Sequence, residues 1–269
     1  MTEMKTVAPR IAIPMPHSGG SESDREYAER AIPQYEDAVR AAGGEPVRIG
    51  LDQSPAQAAK QFEGCDGVLL PGSKADIDPQ KYNEERHEKT APSDAKRDLM
   101  DELLLRDAYQ LHKPVLGICY GLQSLNVCRL GSLVQDIESA IPNSQIVGTK
   151  VNHSAGRTVA RAHTVEIVPG TRLAEIVGAA KALPVTSSHH QSADRVGHGL
   201  RIVARAEDGV VEALEGTAPE HFVLAVQWHP ERSVNEGPEL AEPARAIFRA
   251  FVEAARAKHR ELAREFEKV

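Results

Sequence analysis

The sequence predicts a single α/β domain: a doubly wound, mostly parallel sheet with an antiparallel extension. Three observations carry this prediction. Short apolar runs alternate with helix-length stretches through the first half of the chain. Runs such as Gly67 to Leu70 (GVLL) and Pro114 to Ile118 (PVLGI) have no polar face, as strands covered by helices on both sides require. The second half is richer in strands, and Asp208-Gly209 between two of them is a hairpin signal, so the added strands should pair antiparallel.

Each element follows from local signals. Arg10 to Met15 (RIAIPM) reads as the first strand. Asp24 to Ala42 reads as a helix stopped by Gly43-Gly44. Pro46 to Ile49 is a second strand, and Ser54 to Phe62 a short helix capped by Ser54. Gly67 to Leu70 is a third strand, bounded by Pro71-Gly72-Ser73. Lys96 to Leu111 has apolar residues at helical spacing. Pro114 to Ile118 is another buried strand, followed by a helix from Tyr120 to Leu130. His163 to Val168, Arg201 to Ala206, Val210 to Leu214 and Phe222 to Val226 are the later strands. A long helix from about Pro238 to Lys268 closes the domain, with two charged final turns expected to face solvent.

Composition narrows the function classes. The chain has 269 residues, 41% of them apolar and 26% charged, which suits one large α/β domain or two small ones; a nucleophile at 119 and a base at 229 that must meet make 1–269 one catalytic unit. Its formal charge of −7, with no basic run, argues against nucleic acid and membranes as partners. Aromatics are only 4%, so the core must be aliphatic. Three cysteines (Cys65, Cys119, Cys128) are too few and too odd for a disulfide framework, which fits a reducing compartment. Met1 to Lys5 leads straight into a strand-like segment, unlike a signal peptide. A cytoplasmic location is the expectation.

The sharpest local feature is Gly117-Ile118-Cys119-Tyr120-Gly121, with a strand running in and a helix running out. This is the cysteine version of a nucleophile elbow. The flanking glycines remove side chains that would clash in so tight a turn. The helix N-terminus should favour thiolate and aim backbone N–H groups at a developing oxyanion. An incidental buried cysteine is the alternative reading; Cys65 and Cys128, which lack this context, read as packing residues. Gln227-Trp228-His229-Pro230-Glu231 follows the last strand and supplies a base at His229. Glu231 is placed to accept the second imidazole N–H, giving a Cys–His–Glu triad.

These residues together resemble a known family. The chain looks like a flavodoxin-like class I glutamine amidotransferase-type hydrolase. More narrowly, it resembles the γ-glutamyl-γ-aminobutyrate hydrolases of the γ-glutamyl hydrolase-like cysteine peptidases. The resemblance runs from Tyr35 and Ala42 to Val47 through Asp66 to Ser73 with Asp78-Pro79 and Tyr82, then Gly117 to Asn126, Ser187 to Gln191, Gly199 to Ala206 and Val226 to Glu231. It departs at Thr186 (often Asn in the family), at Leu130-Gly131 (usually Gly-Gly) and at Tyr120 (often Arg).

The resemblance implies roles. Cys119 would attack the γ-carbonyl of a glutamyl amide, while His229, held by Glu231, moves the protons. Gly72 and Tyr120 would donate the oxyanion-hole N–H groups. Gln123, Ser187, His189 and Gln191 match positions that hold the glutamyl ends; Gln123 also reads as an ordinary helix residue. His189-His190 could be a plain polar loop or a metal site, but no second His/Cys/Asp cluster stands out, so no metal and no cofactor is expected. The expected partner is a small γ-glutamyl substrate, with a homodimer possible because relatives often form one. The rival reading is a glutaminase component that passes ammonia to a synthetase. A non-catalytic regulatory relative would need a damaged triad, and a folate polyglutamate hydrolase would generally carry a secretion signal.

Overall fold

A computed structural model describes residues 7–140, 151–156, 159, 161–178 and 182–266. The strands are β1 (Arg10–Pro14), β2 (Glu45–Ile49), β3 (Gly67–Leu70), β4 (Val115–Ile118), β5 (Leu133–Val134), β6 (His163–Ile167), β7 (Ala182–Val185), β8 (Ser192–Ala193), β9 (Leu200–Ala206), β10 (Val211–Gly216) and β11 (Val223–Val226). The α-helices are α1 (Glu22–Ala41), α2 (Pro55–Glu63), α3 (Ala95–Leu111), α4 (Tyr120–Cys128), α5 (Ile137–Ala140), α6 (Arg172–Ile176) and α7 (Pro238–Phe266).

Among the described residues the main sheet runs β2-β1-β3-β4-β11-β10-β9-β6-β7. The pairs β1/β2, β1/β3, β3/β4 and β4/β11 are parallel. This 2-1-3-4 order, extended by β11, is the flavodoxin-like doubly wound arrangement. β10, β9, β6 and β7 extend it antiparallel, with Asp208-Gly209 turning β9 into β10. The predicted fold class is therefore the observed one. β5 and β8 form a separate small ladder.

The core obeys the two-residue period of a strand. Ile11 and Ile13 of β1, Leu116 and Ile118 of β4, and Leu224 and Val226 of β11 pack on one face with α1 and α7. Ala12, Val115, Val223 and Ala225 point to the other face, toward α2, α3 and α4. Burying both faces removes any room for polar alternation, and this explains the unbroken apolar strands.

Where sequence boundaries differ from the observed ones, a local cause is visible. α1 starts two residues early because Ser21 and Asp24 form a reciprocal capping box. α4 ends at Cys128, not Leu130, because Leu130 adopts φ 69°, the left-handed conformation that a glycine would hold more easily. β7 was not foreseen: Pro184 sits in its middle, which is tolerated because β7 lies at the sheet edge. In α7 the described residues Arg260, Glu261, Ala263 and Arg264 are exposed, as expected, while residues 267–269 lie outside the described residues. Among the described residues no helix is long and apolar enough to cross a membrane.

Candidate active site

The carboxyl ends of β3, β4 and β11 converge on one cleft, where open α/β sheets place their ligands. Its volume is about 300 Å³, and Cys119, Tyr120, Gln123, His189, Gln191, His229 and Arg232 are among its lining residues. A larger cleft of about 490 Å³, over Tyr109 and Cys128, lies away from the elbow cysteine and the His229 segment.

Cys119 sits on a strained turn with φ 54° and ψ −107°. A non-glycine residue with positive φ persists only where its surroundings over-determine it. Here they do. Cys119 N–H donates to Val226 O at 2.8 Å, tying the turn to β11. A Cβ at Gly117 would lie 2.8 Å from Gly121 O, and one at Gly121 would lie 2.1 Å from Leu70 O. Both glycines of the motif are thus required by close backbone approach.

The candidate base comes from the neighbouring strand. His229 follows β11, and its backbone N–H donates to Thr186 O at 2.9 Å. Its Nδ1 lies 2.8 Å from Glu231 Oε1, with both side chains buried. Glu231 is buried, which pushes its carboxyl up, but the His229 imidazole and Arg232 hold it below the usual range. An ionised carboxylate only accepts, so the shared proton is on Nδ1 and Nε2 carries the lone pair. The third site element is Gly72. A Cβ there would lie 3.0 Å from His229 Cε1, 3.1 Å from Tyr35 Oη and 3.6 Å from Cys119 Cβ. Gly72, Cys119 and His229 are therefore neighbours in space.

Three contacts were not foreseen. Gly72 N–H donates to the buried Tyr35 hydroxyl at 3.1 Å, so a proposed oxyanion-hole donor already has an acceptor. Arg232 Nη2 donates to His229 Nε2 at 3.2 Å, and its buried Nε lies 3.4 Å from Glu231 Oε1, an ion pair without hydrogen-bond geometry. Fully buried Arg97 clamps the Pro71-Gly72 turn: it donates to Pro71 O at 2.7 Å, to Pro16 O at 3.2 Å and to Asp101 at 2.7 Å. Tyr35 and Arg97 act across long sequence separations, so no motif marks them, whereas Arg232 lies only three residues after His229.

The thiolate expectation is corrected. Burial pushes the Cys119 thiol up to about 12 and the His229 imidazolium down to about 4. The desolvation of a sulfur anion outweighs what Arg232 and one nine-residue helix return. Burial thus favours the neutral thiol and the neutral imidazole over the ion pair. All three cysteines are free, and burial raises Cys65 to about 11 and Cys128 to about 12.

The residues expected to hold substrate divide. Gln123 is buried and lines the cleft, its amide near Gln191 O (3.4 Å) and Gln227 Oε1 (3.3 Å). Gln191 lines it with a buried Oε1 that has no partner. Ser187 does not face the cleft: its hydroxyl donates to His153 O at 2.9 Å, and Ser188 lines the wall instead. His189 lines the wall, yet its Nδ1 is taken by Gln191 O at 2.9 Å and its Nε2 lies 3.5 Å from Glu212. The expected lack of a second histidine cluster is also corrected. Folding brings His189 together with His153, His163 and Glu212, which are scattered over 60 residues of sequence.

The Peptidase C26 family matches residues 9–231. The chain belongs to that family. A glutamine amidotransferase-like protein of Rickettsia prowazekii is 32% identical over 254 residues, covering 82% of this chain and 88% of the relative. A γ-glutamyl-γ-aminobutyrate hydrolase of Escherichia coli O157:H7 is 30% identical over 224 residues, covering 82% and 84%. Among solved structures, the glutaminase domain of Trypanosoma brucei CTP synthase superposes with a TM-score of 0.56 at 18% identity, covering 92% of this chain and 94% of that one. The fold is that of class I glutamine amidotransferases, and the family is one of glutamine amidotransferase-like hydrolases.

Proposed function

We propose that the chain hydrolyses the γ-glutamyl amide bond of a small γ-glutamyl compound through a thioester on Cys119. The observation that carries this reading is a strained-turn cysteine beside a histidine whose Nδ1–H is held by a buried carboxylate. Cys119 Sγ attacks the γ-carbonyl carbon as its proton passes to His229 Nε2. Because burial favours the neutral pair, proton transfer accompanies attack. Arg232 must release Nε2 for this to happen. The oxyanion is held by the N–H groups of Tyr120 and Gly72, the latter once Tyr35 gives way. The C–N bond then breaks, His229 returns the proton to the amine, and water activated by His229 hydrolyses the thioester.

The favoured substrate is γ-glutamyl-γ-aminobutyrate, a compound of polyamine breakdown. Arg30, Lys74 and Arg232 line the cleft against one carboxylate, Asp76. Three cations and one anion complement a ligand with two carboxylates and one ammonium. A leaving group that carries its own carboxylate fits this balance better than a polyamine. The reading includes a cytoplasmic enzyme that acts alone or as a homodimer, with no cofactor in the reaction.

The second reading is a glutaminase that delivers ammonia to a synthetase, supported by the names of the Rickettsia relative and of the solved glutaminase domain. A panel of γ-glutamyl-γ-aminobutyrate, glutamine and γ-glutamyl peptides separates the two. The dipeptide-like substrate should turn over best, and Cys119→Ala should abolish turnover with the fold intact. Turnover of glutamine alone, weak until a partner is added, would favour the second reading. Full activity in Cys119→Ala would sink both.

A further inference from the structure

Glu212 of β10 is fully buried, and three imidazoles surround it. Its Oε1 lies 3.1 Å from His153 Nδ1, 3.2 Å from His163 Nε2 and 3.5 Å from His189 Nε2. These are hydrogen-bond distances, yet none of the three contacts has hydrogen-bond geometry. Both Glu212 oxygens and all three nitrogens are buried without a hydrogen-bond partner. Glu212 is in ion-pair range of all three imidazoles but has no well-formed hydrogen bond to any of them, which is costly for a buried carboxylate, so such a cluster needs a reason to exist.

From these contacts the geometry points to a divalent transition-metal site, of zinc type, held by His153, His163, His189 and Glu212. The donor atoms all lie within 4.8 Å of one another. Zinc at its usual ~2.0–2.1 Å from nitrogen and oxygen requires tetrahedral edges of roughly 3.4 Å. The three contacts to Glu212 Oε1 bracket that length. Three imidazoles and one carboxylate suit zinc better than calcium or magnesium, which prefer oxygen.

Two of the three histidines have the outer contact a ligating histidine needs, while His163 Nδ1 is buried without a hydrogen-bond partner. His153 Nε2 lies 2.9 Å from Asp208 Oδ2, and His189 Nδ1 lies 2.9 Å from Gln191 O. Each fixes the proton on the far nitrogen and leaves the near one free to bind a metal. A second cleft of about 260 Å³, lined by His153 and His189, gives an access route. With four protein donors the site is closed, so the ion's task is to hold structure and not to activate water.

What it would hold is the wall of the Cys119 cleft. His189 N–H donates to His153 O at 2.9 Å and Ser154 Oγ donates to His189 O at 2.9 Å, so residues 151–156 are already laced to the 187–191 segment. The ion ties both to β6 and β10. His189 lines the Cys119 cleft itself. The metal thus acts on substrate binding through position, and its presence does not depend on which amide is cleaved.

The test uses the full chain, expressed without a polyhistidine tag in zinc-supplemented medium and purified without chelators. Elemental analysis should find about one zinc ion per chain. Removal with dipicolinate should lower the melting temperature, and ZnCl₂ at roughly a hundredfold its dissociation constant should restore about 5–10 °C. CoCl₂ added to the stripped protein should give the visible absorption of tetrahedral cobalt. His163→Ala and Glu212→Gln should each lose at least about nine-tenths of the zinc, while Cys119→Ala keeps it. If either ligand variant fails to fold, the wild-type zinc content and the zinc-dependent melting shift decide. Wild type with no zinc, and no melting shift on ZnCl₂, would overturn the site and leave a histidine–carboxylate network sharing protons. Full zinc in both ligand variants, or its loss in Cys119→Ala, would overturn it by placing the ion elsewhere.

Discussion

Replacing Glu231 by Gln tests the proton relay at its most buried point. Glu231 Oε1 lies 2.8 Å from His229 Nδ1, and both side chains are almost wholly out of solvent. During attack His229 becomes an imidazolium whose charge centre lies roughly 4 Å from the carboxylate. At an effective dielectric near 20 that pair is worth about 4 kcal/mol. An amide keeps the shape and removes the charge, so kcat should fall by about 10³. The amide can also rotate to donate to Nδ1. That would put the imidazole proton on Nε2, where it cannot accept the thiol proton, and would deepen the loss toward ~10⁴. KM should change little, because Glu231 does not line the cleft. The assay is glutamate release from γ-glutamyl-γ-aminobutyrate near neutral pH, with thermal unfolding of the variant as a check on folding. A folded variant whose kcat stays within tenfold of wild type would refute the relay and leave Glu231 a structural partner of Arg232.

Other perturbations read other parts of the site. Gly121→Ala should destabilise the protein by at least about 3 kcal/mol in denaturant titration, because the new Cβ would meet the Leu70 carbonyl at 2.1 Å and backbone cannot step aside. Tyr35→Phe removes the hydroxyl that now accepts from Gly72 N–H; kcat/KM should rise about fivefold, the equivalent of one net hydrogen bond. A tenfold fall instead would mean that the tyrosine hydroxyl itself assists the reaction. The pH profile of kcat/KM should be flat from about pH 6 to 9: His229 is held down near 4 by burial, so activity is lost only as pH falls toward that value, and Cys119 is held up near 12. A bell with limbs near 6 and 8 would show a resting thiolate–imidazolium pair.

The sequence alone settled the scaffold, because its signals are local. Continuously apolar strands such as Val115–Ile118 announce a sheet covered on both faces, and Asp208-Gly209 announces the antiparallel turn. Gly117 and Gly121 around Cys119, and Glu231 two residues after His229, are read from single short motifs since the reacting geometry there is built from near neighbours in the chain. Side-chain direction was not legible. Ser187, matched to a substrate position, turns instead to His153 O, and Tyr35 reaches Gly72 from a helix whose sequence gives no sign of it. Solvation was not legible either. A helix N-terminus behind a sulfur suggests a thiolate, whereas burial of Cys119 in the folded chain pushes its thiol the other way. The cluster around Glu212 is the clearest case. His153, His163, His189 and Glu212 come from the 151–156 segment, β6, the loop before β8 and β10, and their spacing in sequence fits no ligand motif. Convergence of groups distant along the chain is produced by packing, so it exists only once the sheet has formed.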